Sequence, residues 1–418
     1  MVTRQYPALQ HRAYRLLWSG LLVSNMGTWM QNVAQSWLIY KMTNNDARYL
    51  GWLGLAFAIP MIALPAVGGM LADRYPRAAI LRITQWSMAL VALVQAILTL
   101  TNHNTPTLIL IATAVGATLL AVDNPTRQAL IPTLVPRHDL MNALALNAAT
   151  YNGAALLGPA IAGFLMGIVG AGWLFAVNAV SYLAVIYAVS QMPAVNEEGR
   201  TPSTLSDALL GGIRFARSHA LTAVLLLTSA VLSLFGRSYQ QVLPIYADDI
   251  WHIAAQGYGI LLSAAGAGAM IGALGMASLP RITPNGRNLK IAGTLFAVLL
   301  GCFAWTTQWW IGVLLLLCIG IISTAATTMI ATMLQLDVPG HLRGRVMSLH
   351  AITLIGVPSV GGLLITSLTT LLGNGSDSRA INASGAPFAL LVGASSVALL
   401  FVFVRIPLRD TTPASHAG

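Results

Sequence analysis

The chain has 418 residues, of which 56% are hydrophobic and only 8% are charged, and its formal net charge is +10. Soluble domains contain about 25% charged residues, so this composition excludes a soluble globular protein. The two cysteines, Cys302 and Cys318, lie inside apolar runs, so neither a disulfide framework nor a metal-binding spacing is present. We predict an all-α membrane protein with no catalytic constellation, metal site or cofactor.

Twelve apolar stretches are long enough to cross a bilayer, which requires about 20 residues. These predicted helices cover residues 16–40, 49–72, 79–101, 106–122, 141–167, 171–191, 221–246, 256–279, 289–307, 310–334, 346–372 and 386–406. The longest polar stretch follows the sixth helix, and its residues 206–217 have the amphipathic pattern of a helix on the membrane surface. We therefore predict an N-terminal six-helix bundle (1–192), a linker (193–220) and a C-terminal six-helix bundle (221–418).

The basic residues predict the orientation of the chain. Eighteen of the 22 Lys and Arg residues fall in loops on one side of the predicted topology, and only Lys41, Arg48 and Arg379 fall on the other. The positive-inside rule therefore places both termini and the linker in the cytoplasm. Because the charge is spread over seven short loops, we expect contacts with anionic membrane lipid and no nucleic-acid surface.

The two halves of the sequence repeat at a constant offset of 203 residues. Val135, Pro136 and His138 recur as Val338, Pro339 and His341, and Gly69, Gly153 and Gly158 recur as Gly272, Gly356 and Gly361. Such tandem halves are typical of transporters with a binding site between two pseudo-symmetric bundles. The alternative is a duplicated membrane scaffold that transports nothing.

Two motifs then point to a family. Residues 68–82, GGMLADRYPRAAILR, resemble the loop 2–3 signature of the major facilitator superfamily, with departures at Pro76 and Ala78. Residues 153–163, GAALLGPAIAG, resemble the fifth-helix signature of exporters in that superfamily, with Ala162 as the one departure. The resemblance implies the major facilitator fold, a monomer, a small-molecule substrate and a place in the bacterial cytoplasmic membrane.

A narrower resemblance concerns the substrate. Residues 124–147 and 338–349 resemble the branch that contains the enterobactin exporter and the macrolide efflux proteins. This resemblance implies the export of a bulky organic molecule, with an anionic siderophore as the leading candidate. A proton-coupled multidrug or macrolide pump and a lysolipid flippase are the alternatives. No acidic residue lies at mid-membrane, so proton coupling is left open, with Asp123 and Asp337 at the membrane edge as the nearest carboxylates.

The loop 2–3 motif is a candidate gate. A carboxylate at Asp73 can pair with Arg and cap the N-terminus of a neighbouring helix, and the resemblance implies that this neighbour is the eleventh helix. The candidate gating residues are Gly69, Asp73, Arg74, Arg77, Arg343 and Arg345, together with Gly153, Gly158, Pro159 and Gly163 of the fifth helix. The alternatives are a solvated basic loop, which does not account for Asp73, and ordinary small-residue packing in the fifth helix.

Polar side chains inside the spans predict a substrate cavity. Four polar residues of the first helix recur at i, i+3, i+7 and i+10, so they share one face and are expected to line a wet cavity or to bond other helices. The candidate substrate residues are Asn25, Thr28, Asn32, Gln35, Asn147, Tyr151, Ser233, Arg237 and Gln241. Ser233, Arg237 and Gln241 of the seventh helix are spaced by four residues, so we expect them to share a face. Arg237 is the only charged residue near mid-membrane, where a charge indicates a functional site. Its alternative roles are to snorkel or to pair with Asp248 or Asp249.

Overall fold

The computed structural model describes residues 6–192, 213–278 and 284–404, and within these ranges it contains twelve helical spans and no strand. The spans are α1 (Arg12–Met42), α2 (Arg48–Ala63 and Pro65–Arg74), α3 (Arg77–Leu100), α4 (Pro106–Leu130), α5 (Leu140–Val169), α6 (Ala171–Ser190), α7 (Ala220–Ile250), α8 (Ala254–Ser278), α9 (Gly286–Trp305), α10 (Trp309–Asp337), α11 (Gly340–Ile355 and Val357–Leu372) and α12 (Ser378–Phe403). Ten of them are long and apolar enough to cross a membrane, the bent α2 is an eleventh, and α1 is set apart by its polar side chains. The predicted fold class is confirmed.

Three helix ends differ from the prediction by more than a few residues. α4 continues to Leu130 instead of ending at residue 122, and α11 and α12 begin at Gly340 and Ser378 instead of at 346 and 386. Hydropathy underestimates these helices because their last or first turns are polar, and at α12 a capping side chain adds to this. Asp377, for example, accepts a hydrogen bond from the backbone N–H of Ala380 and so begins α12. Most of the predicted linker helix lies outside the described residues, and residues 213–218 are helical.

The two halves of the chain meet along two helix pairs. α5 packs against α8, and α2 packs against α11. Small residues allow the first approach, because a Cβ on Gly163 would lie 2.7 Å from the carbonyl oxygen of Ala255, and one on Gly259 would collide with the carbonyl oxygen of Pro159. Gly158 instead faces α1, and a Cβ added at Gly158 would lie 2.6 Å from the Cβ of Trp29. Gly158 and Gly163 of the fifth-helix motif therefore lie where helices pack closely.

The two predicted motif glycines Gly153 and Gly163 give a matched test of this packing. Both lie in α5, but a Cβ on Gly153 has nothing within 4 Å. We expect Gly163→Ala to destabilise the protein by about 1–3 kcal/mol through overpacking, whereas Gly153→Ala should be neutral or stabilising because Ala favours a helix. Thermal unfolding of the two variants in detergent measures the difference. Equal melting temperatures would contradict the packing role of Gly163.

α2 and α11 are both broken, and the breaks lie side by side. Pro65 restarts α2 after Leu64, and Val357 restarts α11 after Gly356. The side chain of Ile62 occupies the space that a Cβ on Gly356 would need, so the two helices touch at their breaks. Beyond the break, Pro65–Arg74 packs on α4. We call the end of the bundle that carries Asp73 and Arg343 the basic end, and the end that carries residues 43–47 and 248–253 the closed end.

Candidate functional site

A cavity of about 620 Å³ lies among α1 to α6, with Ile355 of α11 as its contribution from the second half. The four predicted residues of α1 and the two of α5 line it: Asn25, Thr28, Asn32, Gln35, Asn147 and Tyr151. α1 is a regular helix through this region, so the 3.6-residue periodicity places its polar face correctly.

The alternative expectation, bonding to other helices, applies to two of the four α1 residues, since Thr28 lies within hydrogen-bond distance of the Tyr182 hydroxyl of α6 at 3.4 Å. Gln35 is only 4% exposed and donates a hydrogen bond to the Oε1 atom of Gln95 at 2.9 Å. Asn32 is exposed to the cavity. Trp29 makes an edge contact with Tyr151, with ring centroids 6.0 Å apart, and both rings line the cavity. The face therefore combines interhelical bonding with free amide and aromatic groups.

The cavity wall also contains an ion pair. Asp123 of α4 is fully buried and accepts hydrogen bonds at 2.9 Å from the Thr84 hydroxyl and from the Gln85 amide. Its other oxygen lies 2.8 Å from Arg127, whose side chain is 13% exposed and also donates to Asn124 at 2.7 Å. Of the described residues, Asp123 is the one carboxylate in the cavity lining. The i, i+4 spacing in α4 is the sequence signal that reveals this pair.

The predicted residues of α7 do not share a face. Ser233 is fully buried, whereas Gln241 packs against Gly54 of α2 and Gly362 of α11, and neither lines the cavity. The physical reason is that α7 is π-helical over Leu232–Gly236 and 3₁₀-helical over Arg237–Val242, which changes the rotation per residue. The expectation of a shared face from α-helical spacing is therefore wrong.

Arg237 is not among the residues that line the cavity, although Tyr151 is. Its side chain is half-buried and lies within electrostatic range of Tyr151 on α5 and of Tyr239. Asp248 and Asp249 bind other residues at the closed end, so their alternative pairing with Arg237 is not formed. In the described part of the chain, Arg237 has no acidic partner within salt-bridge distance.

The chain is similar in sequence and in fold to known proteins. The sequence matches the family described as transmembrane secretion effector over residues 3–416. The chain belongs to this family. The Staphyloferrin A transporter of Staphylococcus aureus is 25% identical over 83% of this chain and 87% of its own length. The enterobactin exporter EntS of Escherichia coli is 25% identical and covers 98% of this chain and 96% of its own.

One solved transporter structure shares the fold of this chain. It is a bacterial homologue of the human lysosomal transporter Spinster in an inward-facing, unoccupied conformation, with a TM-score of 0.73 at 14% identity, covering 94% of this chain and 96% of that one. The resemblance to the major facilitator superfamily and to the branch with the enterobactin exporter is confirmed. This chain is a multi-pass membrane transporter of a small molecule.

The candidate gating residues of α2 and α11 lie at the basic end. Asp73, Arg74, Arg343 and Arg345 are exposed, and among the described residues Asp73 forms no ion pair with either arginine of α11. Arg77 donates a hydrogen bond to the carbonyl oxygen of Ala129 in α4 at 2.9 Å. A Cβ on Gly69 would have nothing within 4 Å. The gating role of these residues stays a prediction.

We expect Asp73→Asn to hold the basic end open for a larger share of the time. If closure brings Asp73 against the start of α11, the amide loses the favourable interaction with the helix dipole, which is worth about 0.3–1 kcal/mol. Labelling of single cysteines placed near Arg343 with a membrane-impermeant maleimide measures this accessibility. Asp46→Asn, at the closed end, is the control and should be labelled as the wild type is. If Asp73→Asn is also labelled as the wild type is, Asp73 is not part of the gate.

Proposed function

We propose that this chain exports a bulky anionic organic molecule, such as a siderophore, from the cytoplasm by alternating access. The observation that carries the proposal is Arg237, a guanidinium group inside a span that lies within electrostatic range of Tyr151 and has no acidic partner among the described residues. An unpaired charge inside the membrane is costly and marks a functional site. Carboxylate or catecholate oxygens on the substrate would supply its missing partner, because guanidinium offers a planar set of donors.

The direction of transport follows from the two ends of the bundle. The positive-inside rule puts the basic end in the cytoplasm, and at this end Asp73 and Arg74 of α2 are exposed. Contacts between α1, α7 and α12 join the halves at the other end. Substrate would therefore enter from the cytoplasm. Two relatives are named for siderophores, staphyloferrin A and enterobactin, and this supports a siderophore as the exported molecule.

The cavity volume and the membrane potential both suit the export of an organic anion. A cavity of about 620 Å³ falls within the range of about 300–1,000 Å³ for sites of small organic ligands. An inside-negative membrane potential drives each exported negative charge by about 2.3 kcal/mol per 100 mV. Because Asp123 is neutralised by Arg127, export of an anion would not need a proton on this carboxylate. The proposal thus includes a monomer in contact with lipid, with proton coupling as an optional addition.

Transport into everted membrane vesicles tests the proposal. Vesicles with and without the protein are given a citrate-based siderophore, a triscatecholate siderophore, a neutral macrolide and a fluorescent lysolipid. We expect accumulation of a siderophore that depends on the protein and falls when the membrane potential is dissipated with valinomycin and potassium. Accumulation of the macrolide or the lysolipid alone would favour one of the alternative substrates.

A further inference from the structure

One buried carboxylate joins the two halves at the closed end. Asp249, in the last turn of α7, is 6% exposed and accepts hydrogen bonds from the Tyr40 hydroxyl of α1 and from the Asn45 side chain. Asn382 of α12 donates to the same carboxylate at 3.0 Å, to the Tyr40 hydroxyl at 2.8 Å and to the Asn45 carbonyl oxygen at 2.6 Å. The first half thus contributes Tyr40 and Asn45, and the second half contributes Asp249 and Asn382. We call these four residues the latch.

The charged groups around the latch are few. Lys41 lies 2.7 Å from the neighbouring Asp248, and Asn45 donates to the same Asp248 oxygen at 2.7 Å. Arg379 of α12 lies 3.7 Å from Asp248 and 4.0 Å from Asp249, and its side chain is 60% exposed. The imidazole of His252 lies 2.8 Å from the backbone carbonyl oxygen of Asp248. Lys41 is therefore committed to Asp248, and Asp249 is bound mainly by neutral donors.

We propose that Asp249 is the gate residue of the closed end and that its carboxylate holds the halves together only while it is deprotonated. Both oxygens of Asp249 act as acceptors toward Tyr40, Asn45 and Asn382. Hydrogen bonds to a charged carboxylate are roughly twice as strong as neutral ones. A proton on Asp249 removes that charge and adds a donor among groups that already donate, which leaves a buried polar group poorly satisfied.

The effect of pH on the latch has a defined direction and does not depend on the substrate. Acidification on the side of the closed end protonates Asp249 and weakens the latch, so this end opens more often at low pH. Neutral pH keeps the carboxylate charged and the end closed. The latch would act on the transport cycle whether the cargo is a siderophore, a macrolide or a lipid, so its test does not depend on the proposed function.

Distances across the closed end test the proposal directly. Spin labels are placed at His103→Cys in the first half and Ser376→Cys in the second, both at exposed positions, with Cys302 and Cys318 replaced by Ala. We expect one short distance near neutral pH and a second, longer distance whose share grows as the pH is lowered. In Asp249→Asn the longer distance should be present at neutral and at low pH, with an open-to-closed ratio about tenfold above the wild type near neutral pH.

Two further variants separate the latch from general effects. Asp46→Asn makes the same charge change at the same end, but Asp46 pairs with Arg48 of its own half at 2.8 Å, so it should keep the wild-type distances and pH response. Asn382→Ala removes a donor without changing charge, so it should lengthen the distance near neutral pH and keep a response to acid. A wild-type distance that ignores pH, or an Asp249→Asn protein that stays closed, would overturn the proposal. Elution as a single detergent-solubilised species is checked for every variant.

Discussion

Arg237→Ala is expected to bind an anionic substrate about ten- to a hundredfold more weakly than the wild type. A hydrogen bond to a charged group is worth about 1.5–3 kcal/mol, and each 1.4 kcal/mol is a factor of ten in affinity. Arg237→Lys should restore affinity only in part, because an ammonium group cannot form the bidentate arrangement. Titration of the purified variants in nanodiscs with an anionic siderophore and with a neutral analogue of similar size measures both effects.

The control for this measurement is Arg287→Ala, which removes the same charge from an exposed position at the start of α9. It should bind the anion as the wild type does. Thermal stability is recorded for each variant, since removal of a half-buried Arg also changes packing. Equal affinity of the wild type and Arg237→Ala for the anion, at equal stability, would exclude Arg237 from the site and favour a neutral drug as the substrate.

Asp123→Ala is expected to lower the stability of the protein by about 3–5 kcal/mol. The substitution leaves Arg127 without its partner at 2.8 Å and removes the acceptor of two hydrogen bonds, from Thr84 and Gln85. Loss of one member of a buried ion pair is costly because the other charge stays buried. Thermal unfolding in detergent, followed by tryptophan fluorescence, measures the loss.

The double variant Asp123→Leu with Arg127→Met separates the cost of an unpaired charge from the value of the pair. Replacement of a buried pair by apolar residues of similar volume is often neutral or stabilising, so the double variant should be more stable than Asp123→Ala. If Asp123→Ala unfolds at the wild-type temperature, the pair has no structural role. Asp123 would then be available as the carrier of a proton during transport.

The sequence by itself determines the features that depend only on residues close together along the chain. Twelve spans and their order follow from windows of about 20 apolar residues, and they agree with α1 to α12. The polar face of α1 was also predictable, because a regular helix converts spacing into direction without reference to other helices. Asn25 and Asn32 accordingly line the cavity.

Local spacing failed where the backbone departs from the α-helix. Ser233, Arg237 and Gln241 were expected on one face, but the π-helical and 3₁₀-helical turns of α7 send Ser233 into the core and Gln241 toward α2 and α11. These turns are stabilised by packing against α11, as in the hydrogen bond from Ser238 to the carbonyl oxygen of Pro358. No property of a single helix indicates such a contact.

The tertiary structure alone decided which polar groups meet across the bundle. Asp249 and Asn382 are 133 residues apart, and Tyr40 is more than 200 residues from Asp249, yet their side chains form one buried cluster. Such a cluster depends on the relative placement of the two halves, which the hydropathy of each span does not encode, because every span is apolar toward lipid whatever its neighbours are. The spans therefore follow from sequence, whereas the latch at the closed end follows from how the two halves pack.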